Sequence, residues 1–523
     1  MPFRLHQWVS RFRRDQRGNI AVIFTIAVIP LISAIGCAVD YSLATRMKAK
    51  LQSAADAASV ASLSQRSPGF VAAAAMTGNG SVDAGVTDAN NVFDGNMTGI
   101  TGYQNLVRTS TVTKTGIQLA SSVQFSADVP VVFMKVLGYQ QLTVTGVSSS
   151  AATLPPYLDF YLTLDVSGSM GLPSTGAEQT RLSQVNPDNY RQYPTGCTLA
   201  CHFSPQSSAC TDTGTQAYPT NGYCLGYAIS RVSFSGYKGL LSNTAVTSTY
   251  PAGKRLSTTM VSGLPNSLYT ALPPVSSCPT DGTDACIQLR ADAVGYAVNQ
   301  LFITANASAK VANQFRIGLY PFIRYLYAYF PLTSAINGSP TNPSTINYAA
   351  ANLATLLDTN INLNLGSGGT HIDTAFSTMN TTIVSVGDGS SSSNTQPYVF
   401  LVTDGAQDNQ YKDVPNGGWH GSNHATTLDL QNTLTTVPSC TALKSRGIIV
   451  SVLYIPYQQI NPVNTSFSGD EDTFANTNIQ YIPASLQKCA SPGFFYTANT
   501  PADITAALNA MFNHALQTAH ITN

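Results

Sequence analysis

The sequence predicts an α/β protein with an N-terminal transmembrane helix and stalk, a small β-rich module, and a doubly wound parallel-sheet domain with a long disulfide-rich insertion. Runs such as 398-YVFLVTD-404 and 448-IIVSVLYI-455 are apolar throughout instead of alternating, and helix-like segments separate them. Continuous apolar strands of this kind are typical of a parallel sheet that is buried on both faces. An unbroken apolar segment near the N-terminus, residues 20–39, predicts the membrane helix.

The composition indicates a low-charge surface of the kind found in exported proteins. The chain has 523 residues, enough for more than one domain, and its 26 Lys and Arg balance its 26 Asp and Glu. This balance argues against a nucleic-acid partner. Only 10% of the residues are charged, which fits an exported protein better than a cytosolic enzyme.

Basic residues determine the predicted orientation of the membrane segment. Five arginines precede residues 20–39, namely Arg4, Arg11, Arg13, Arg14 and Arg17. We therefore expect a single span with the N-terminus in the cytoplasm and the bulk of the chain on the other side. A cleaved secretory signal is the alternative, but the segment is longer than a usual signal core. A lipoprotein site at 34-AIGC-37 lacks the expected leucine.

The cysteines agree with an oxidising compartment. One of the nine, Cys37, lies in the membrane segment, and an even number follows it. Cys440 and Cys489 each precede one of two neighbouring predicted strands, so we expect them to form a disulfide. We expect the other six, all within residues 197–286, to pair among themselves. The spacing in 197-CTLACH-202 does not match a standard zinc finger.

The chain is predicted to have three parts. Residues 1–67 hold the basic flank, the anchor and a stalk helix, residues 68–153 the β-rich module, and residues 154–523 the α/β domain, with an insertion at about 171–285. Segments 110–129 and 142–151 are rich in Val and Thr and are predicted strands. The stalk carries a stripe of apolar, mostly small residues at helical spacing, namely Leu43, Met47, Leu51, Ala54, Ala58 and Ala61. This stripe fits a simple stalk and a packing face for like helices equally well.

The elements of the α/β domain follow one another as strand and helix. We expect strands at 157–164, 315–322, 398–404, 448–455 and 494–497, and a helix near 286–304. A last helix over 500–517 begins with Thr500 as N-cap and Pro501 at its first position, with Asp503 three residues after the cap.

Oxygen-bearing side chains follow two of these strands and one glycine-rich loop. Asp165, Ser167 and Ser169 end the first strand, Asp404 ends 398–404, and Thr370 closes the loop 366-GSGGT-370. Ligands bind outside the carboxyl ends of the strands in an open parallel sheet. Hard oxygen donors suit Mg²⁺, or Mn²⁺ or Ca²⁺. The sequence therefore predicts a metal site at Asp165, Ser167, Ser169, Thr370 and Asp404, with an open position for an acidic partner group.

These residues resemble the metal-ion-dependent adhesion site (MIDAS) of von Willebrand factor A domains. The motif D-x-S-x-S at 165–169, the later Gly-Gly-Thr at 368–370 and the apolar strand ending in Asp404-Gly405 carry the resemblance, which covers roughly residues 157–517. It implies that the Asp, Ser, Ser and Thr bind the ion directly or through water, and that the second Asp often does so through water.

The N-terminal segment is similar to the TadE/TadG proteins of bacterial Tad (Flp) pilus assembly. Arg17-Gly18 before the apolar helix, 39-VDYS-42 at its exit and the alanine-rich stretch 51-LQSAADAAS-59 carry this resemblance. It implies a TadG-type protein of the bacterial inner membrane, with its bulk in the periplasm or cell envelope, that contacts other Tad pilus components or itself. Processed pseudopilins have a glutamate where this chain has Ile23, which argues against cleavage after Gly18.

A binding role is favoured over catalysis. The sequence has no Gly-x-Ser-x-Gly elbow, His-Glu-x-x-His helix or P-loop. His420 and His424 lie in a Gly-rich segment and are expected at the surface, and His371 at a helix start is expected to be structural. Two alternatives stay open: a scaffold whose metal site only holds loops together, and an exported hydrolase.

Overall fold

The chain divides into two compact units, Met1–Leu154 and Pro155–Asn523, with the boundary beside residue 154, the predicted start of the α/β domain. The computed structural model describes residues 19–178, 288–358, 362–414, 417–421, 426–457 and 471–519. The six cysteines at 197–286, and with them their predicted pairing and the zinc alternative, lie outside the described residues, as does His424.

The first unit combines helices with an antiparallel sheet. Its helices are α1 (Asn19–Ala61), α2 (Pro68–Ala75) and α3 (Asp83–Met97). Its strands β1 (Gly80–Ser81), β2 (Gln104–Thr115), β3 (Gln118–Pro130) and β4 (Gln141–Thr153) pair in that order. The predicted strand 110–129 is therefore two strands. Gly116, with φ of +59°, allows the tight reversal between them.

The second half of α1 packs against this sheet. Met47, Leu51, Ala54 and Ala58 are buried, and they share a core with Phe93 of α3 and with Val123, Phe125 and Val144 of β3 and β4. Four of the six residues of the predicted stripe are therefore covered by the chain's own sheet and α3, while Leu43 is 46% exposed. The stripe does not form a free-standing stalk, and it is not available as a packing face for like helices.

The first half of α1 is apolar and exposed. Ile26, Ile29, Ile32 and Ile35 are each more than half exposed. Among the described residues, α1 is the one helix long and apolar enough to cross a membrane. Such a helix serves as a membrane anchor or as a secretion signal.

The second unit is built on a six-stranded sheet. Its strands are β5 (Leu158–Asp165), β6 (Phe315–Phe322), β7 (Phe330–Thr333), β8 (Gln396–Thr403), β11 (Ile449–Tyr454) and β12 (Phe495–Thr497). Their order is β12-β11-β8-β5-β6-β7, and all pairs are parallel except β6 with β7. The predicted all-parallel sheet is thus wrong at this edge, and the sheet is mixed. A small hairpin, β9 (Tyr411–Lys412) and β10 (Trp419–His420), stands apart from it.

The described residues of this unit form seven α-helices beside the sheet: α4 (Arg290–Ser308), α5 (Ile346–Ala351), α6 (Ile372–Thr382), α7 (Pro438–Ser445), α8 (Glu471–Ile479), α9 (Ile482–Cys489) and α10 (Pro501–Ala519). The helix predicted near 286–304 begins later, at Arg290. Phe160 and Leu162 of β5 face a core formed with α4 and α10. Tyr161 faces a second core formed with α6, α7 and α9. Because both faces are covered, the strands are apolar at nearly every position.

Cys440 and Cys489 form the predicted disulfide. Cys440 lies in α7 and Cys489 ends α9, and both are fully buried. The bond closes a loop across 49 positions of the chain and joins the two helices beside β11. Cys37 is the one free cysteine among the described residues.

Candidate functional site

Parallel pairing of β5 with β8 brings the two predicted carboxylates together. Leu164 pairs with Val402, so the carboxyl ends of both strands lie side by side. Asp165 ends β5, and Asp404 directly follows β8. Both side chains are fully buried. The ends of the strands lie at an edge of the sheet, which suggests a peripheral site. The structure shows instead that the site is buried.

Hydrogen bonds join four of the five predicted residues. The Ser167 N–H donates to Asp165 Oδ1 at 2.9 Å, and the Ser169 hydroxyl donates to Asp404 Oδ1 at 3.1 Å. The two serine hydroxyl oxygens lie 3.3 Å apart. A 3₁₀ turn at Gly168–Gly171 curls the chain so that both hydroxyls face the carboxylates. The two carboxylates and two hydroxyls thus form one continuous polar cluster.

Thr370 reaches the same loops through its backbone. Its N–H and C=O exchange hydrogen bonds with Asp408, four residues after Asp404, both at 3.0 Å. Gly369 has φ of +63°, and a Cβ there would lie 2.3 Å from the Asp408 carbonyl oxygen, so this approach requires glycine. Among the described residues, no hydrogen bond joins the Thr370 hydroxyl to the other four. The structure therefore places Thr370 beside the cluster without including it.

Three residues of the cluster were missed by the sequence analysis. The Thr403 hydroxyl donates to Asp165 Oδ2 at 2.6 Å, and the Tyr457 hydroxyl donates to Asp404 Oδ1 at 2.6 Å. Arg290 Nη1 lies 3.1 Å from Asp404 Oδ2 and forms an ion pair with it. Thr403 could have been suspected, since it directly precedes Asp404. Arg290 and Tyr457 belong to no motif and come from distant parts of the chain.

Burial dominates the electrostatics of the cluster. It raises the pKa of Asp165 to about 7, and the neighbouring charge of Asp404 adds to the shift. Burial also raises the pKa of Asp404, while the guanidinium of Arg290 and the hydroxyl of Tyr457 oppose the rise. Among the described residues, Asp404 therefore has a cation beside it, whereas the hydrogen-bond partners of Asp165 include none. When both carboxylates are ionised, they carry one more negative charge than the guanidinium neutralises.

The donor set fits a hard divalent cation. Two carboxylates and two hydroxyls from separate loops are the oxygen ligands that Mg²⁺ and Mn²⁺ prefer. The structural observation that favours a cation here is that Asp165, when ionised, has no cationic hydrogen-bond partner among the described residues. No group of three or more His, Cys, Asp or Glu suited to a metal occurs in the described part of the chain. Any ion at this site would therefore depend on the serine hydroxyls as well as on the two carboxylates.

His371 and His420 lie outside this cluster. His371 is buried, its ring nitrogen lies 3.1 Å from the Gln410 carbonyl oxygen, and burial lowers its pKa. His420 is exposed, stacks on Tyr411 and pairs with Asp413 at 2.8 Å. Both arrangements are those of structural and surface residues, in line with the sequence analysis.

Solved structures similar to this chain include several pilus proteins. The pilus adhesin SpaC from Lactobacillus rhamnosus GG is 13% identical over 80% of this chain and 34% of its own, with a TM-score of 0.31. The minor pilin PilB from Streptococcus sanguinis is 11% identical over 80% of both chains, also at 0.31. The vWF domain of the type V pili tip protein Mfa5 from Porphyromonas gingivalis is 11% identical over 44% of this chain and 88% of its own, at 0.24.

The chain spans about a third of the length of the SpaC adhesin. The sequence comparisons concern the N-terminal segment. No curated protein matches it in sequence. The family described as putative Flp pilus-assembly TadE/G-like matches residues 18–75, which include all of α1. Residues 18–75 are thus similar to the TadE/G-like segment of the Flp pilus-assembly family.

Proposed function

We propose that this chain is a membrane-anchored, pilus-associated envelope protein of TadG type that binds an acidic group of a partner through a metal ion. The TadE/G-like segment supports the pilus association. The observation that carries the metal site is the buried pair Asp165 and Asp404, linked through the hydroxyls of Ser167 and Ser169. Other Tad pilus components of the cell envelope are the proposed partners.

In this proposal the apolar part of α1 is a retained anchor, with the N-terminus in the cytoplasm and both units in the periplasm or cell envelope. The arginines before residues 20–39 support this orientation. The second unit is a von Willebrand A-like domain. Its central parallel strands, with helices on both faces and the candidate site at their carboxyl ends, support that assignment.

Each proposed ligand has a distinct task. Asp165 supplies a carboxylate with no cationic partner in the described part of the chain, and Ser167 and Ser169 supply neutral oxygens. Asp404 binds the ion while Arg290 balances part of its charge. Thr370 would join from the neighbouring loop. A bound Mg²⁺ or Mn²⁺ would supply positive charge and a coordination position for a partner's carboxylate. These are binding tasks, and a non-enzymatic role follows from them.

Burial favours a second candidate function. All five proposed ligands are at most 7% exposed, so a partner's carboxylate needs the covering side chains to move. An ion that only holds the three loops together needs no such movement. Under this alternative the second unit is a scaffold, and its metal site contributes stability without contacting a partner.

Titration and partner capture test both candidates. Calorimetry of the full chain in lipid nanodiscs with Mg²⁺ or Mn²⁺ should show one site, and the absence of heat would refute the metal site. Capture of envelope proteins should then depend on the ion and be lost with a chelator. Ion binding with ion-independent capture would favour the scaffold.

Ion affinity should rise with pH. The ion needs the carboxylate form of Asp165, and the pKa of this group is about 7. Below this value a proton competes with the ion, so the apparent affinity should increase by roughly tenfold per pH unit and level off above pH ~7. Titrations at about pH 5, 6, 7 and 8 check this. An affinity that does not change with pH would place the ion elsewhere.

Replacing Arg290 with glutamine should strengthen ion binding. The guanidinium lies 3.1 Å from Asp404 Oδ2 and repels a cation bound by the same carboxylate. Its removal should raise the affinity for Mn²⁺ by roughly tenfold and lower the stability of the ion-free protein, because Asp404 stays buried without its counter-ion. Arg316→Gln is the matched control, since this arginine pairs with Asp159 at the other end of β5. Equal affinities of Arg290→Gln and the wild type would contradict the proposed role of Asp404.

A further inference from the structure

The loop between β3 and β4, residues 131–140, exposes an unusual number of large apolar side chains. Val132, Phe133, Val136, Leu137 and Tyr139 are between 45% and 77% exposed. The loop carries one charge, on Lys135, and no acidic residue. Clustered apolar residues of this size at a surface mark a site of contact with a partner or a membrane.

Asp40 of α1 holds this loop in place. Its carboxylate accepts hydrogen bonds from the backbone N–H groups of Val132, Phe133 and Met134 at 3.0, 2.8 and 2.7 Å. The Asp40 side chain is 2% exposed. Hydrogen bonds to an ionised carboxylate are stronger than neutral ones, so the loop has a defined position against the helix.

That position lies at the end of the apolar half of α1. Phe133 contacts Gly36, where an added Cβ would lie 2.5 Å from the Cβ of Phe133. Gly36 is one helical turn before Asp40, which corresponds to about 6 Å along the helix axis. Phe133 therefore lies beside the apolar segment itself, on the far side of Asp40 from the folded core.

The exposed side chains of the loop thus continue the exposed apolar surface of the helix. Ile32, Ile35 and Val39 are 57%, 59% and 44% exposed and lie on the same stretch of α1 as Gly36. The loop lies at the same depth as this stretch of α1. When the stretch is inside a bilayer, the loop is therefore in contact with lipid and not with water. The continuity of the two surfaces identifies lipid as the occupant.

We propose that the β3–β4 loop is a second membrane contact, which inserts Val132, Phe133, Val136 and Leu137 into the interfacial layer of the bilayer crossed by α1. The proposal rests on the anchor role of α1 in the proposed function. Tyr139 and Lys135 suit this depth, because tyrosine rings and lysine side chains with long apolar stems are favoured at headgroup level. Apolar side chains at such an interface are buried by roughly 5–10 Å. The loop would fix the first unit against the membrane surface, where α1 alone would allow rotation.

Fluorescence quenching in proteoliposomes tests this contact. Trp8 and Trp419 are replaced by phenylalanine in the full chain, and a single tryptophan is introduced by Val136→Trp. The vesicles contain phosphatidylcholine and phosphatidylglycerol, with or without bromine on the acyl chains. We expect the Val136→Trp protein to lose the larger part of its fluorescence in brominated lipid. Leu137→Trp should behave in the same way, which guards against a local effect at one position.

Two positions on α1 serve as controls. Val60→Trp places tryptophan at a site that is 62% exposed and about 30 Å along the helix from Asp40, and its fluorescence should not be quenched. Ile29→Trp lies in the apolar half and should be strongly quenched. Asp40→Ala in the Val136→Trp protein should reduce the quenching, because the loop loses the three hydrogen bonds that position it.

The outcomes separate the loop from the anchor. Quenching at Ile29 without quenching at Val136 and Leu137 would overturn the loop contact and leave the anchor intact. Absence of quenching at Ile29 would overturn the anchor, and the loop proposal with it. If the Val136→Trp fluorescence depends on the density of protein in the vesicles and not on bromine, the occupant is a second copy of the chain. This result would also overturn the proposal.

Discussion

Asp165→Asn should abolish ion binding while leaving the protein folded. The amide keeps the size of the carboxylate but removes a charge for which the described residues supply no cationic partner. Loss of an outer-shell partner typically costs 10–100-fold in metal affinity, so loss of a direct carboxylate ligand should cost at least about 100-fold. Calorimetric titration of the full chain in nanodiscs with Mn²⁺ measures this loss.

The same change should not weaken the ion-free protein. Burial and the charge of Asp404 raise the pKa of Asp165, so its charged form is less stable in the folded state than in the unfolded state. This penalty is absent below pH ~4, grows as the pH rises to about 7 and is constant above. At neutral pH, Asp165→Asn removes this free-energy penalty. The ion-free variant should therefore unfold at a higher denaturant concentration than the ion-free wild type.

Asp159→Asn is the matched control. Asp159 is a buried carboxylate of the same strand, but it lies six positions before Asp165, about 20 Å away, and pairs with Arg316 at 2.5 Å. Its replacement should leave the ion affinity unchanged and lower the stability. Equal ion affinity for the wild type and Asp165→Asn would mean that any ion sits elsewhere, and the adhesion-type site would fail with it.

Removal of the disulfide should cause a large loss of stability. The bond between Cys440 and Cys489 spans 49 positions, and closing a loop of this length restricts the unfolded chain by an amount worth about 4 kcal/mol. The double variant Cys440→Ala and Cys489→Ala also loses packing, because both side chains are fully buried. Its second unit should therefore unfold at a clearly lower denaturant concentration than that of the wild type.

Cys37→Ala provides the control for this comparison. Cys37 is not disulfide-bonded and lies in the apolar part of α1, so its replacement should leave the unfolding of the second unit unchanged. A reducing agent should lower the stability of the wild type by more than that of the double variant, which has no bond between these two positions to lose. If wild type and double variant unfold at the same denaturant concentration, the bond does not form in the exported chain.

Local patterns determined much of the fold from the sequence by itself. The strand predicted at 315–322 is β6, with the same bounds, and the helix predicted from Thr500 and Pro501 is α10. The disulfide between Cys440 and Cys489 followed from the expectation that consecutive elements are neighbours. These predictions succeeded because apolar periodicity and helix capping depend on residues that are close in the chain.

Contacts between distant residues were decided by the tertiary structure. Arg290 and Asp404 are separated by 114 positions, and no local pattern in the sequence joins them. The burial of the candidate site, the antiparallel edge strand β7 and the packing of α1 on β3 and β4 likewise depend on how the elements assemble. Residue types at strand ends indicate which chemistry can occur there, since oxygen donors attract hard cations. Whether such donors are exposed, and which cation already lies beside them, depends on the side chains that the folded chain brings from elsewhere.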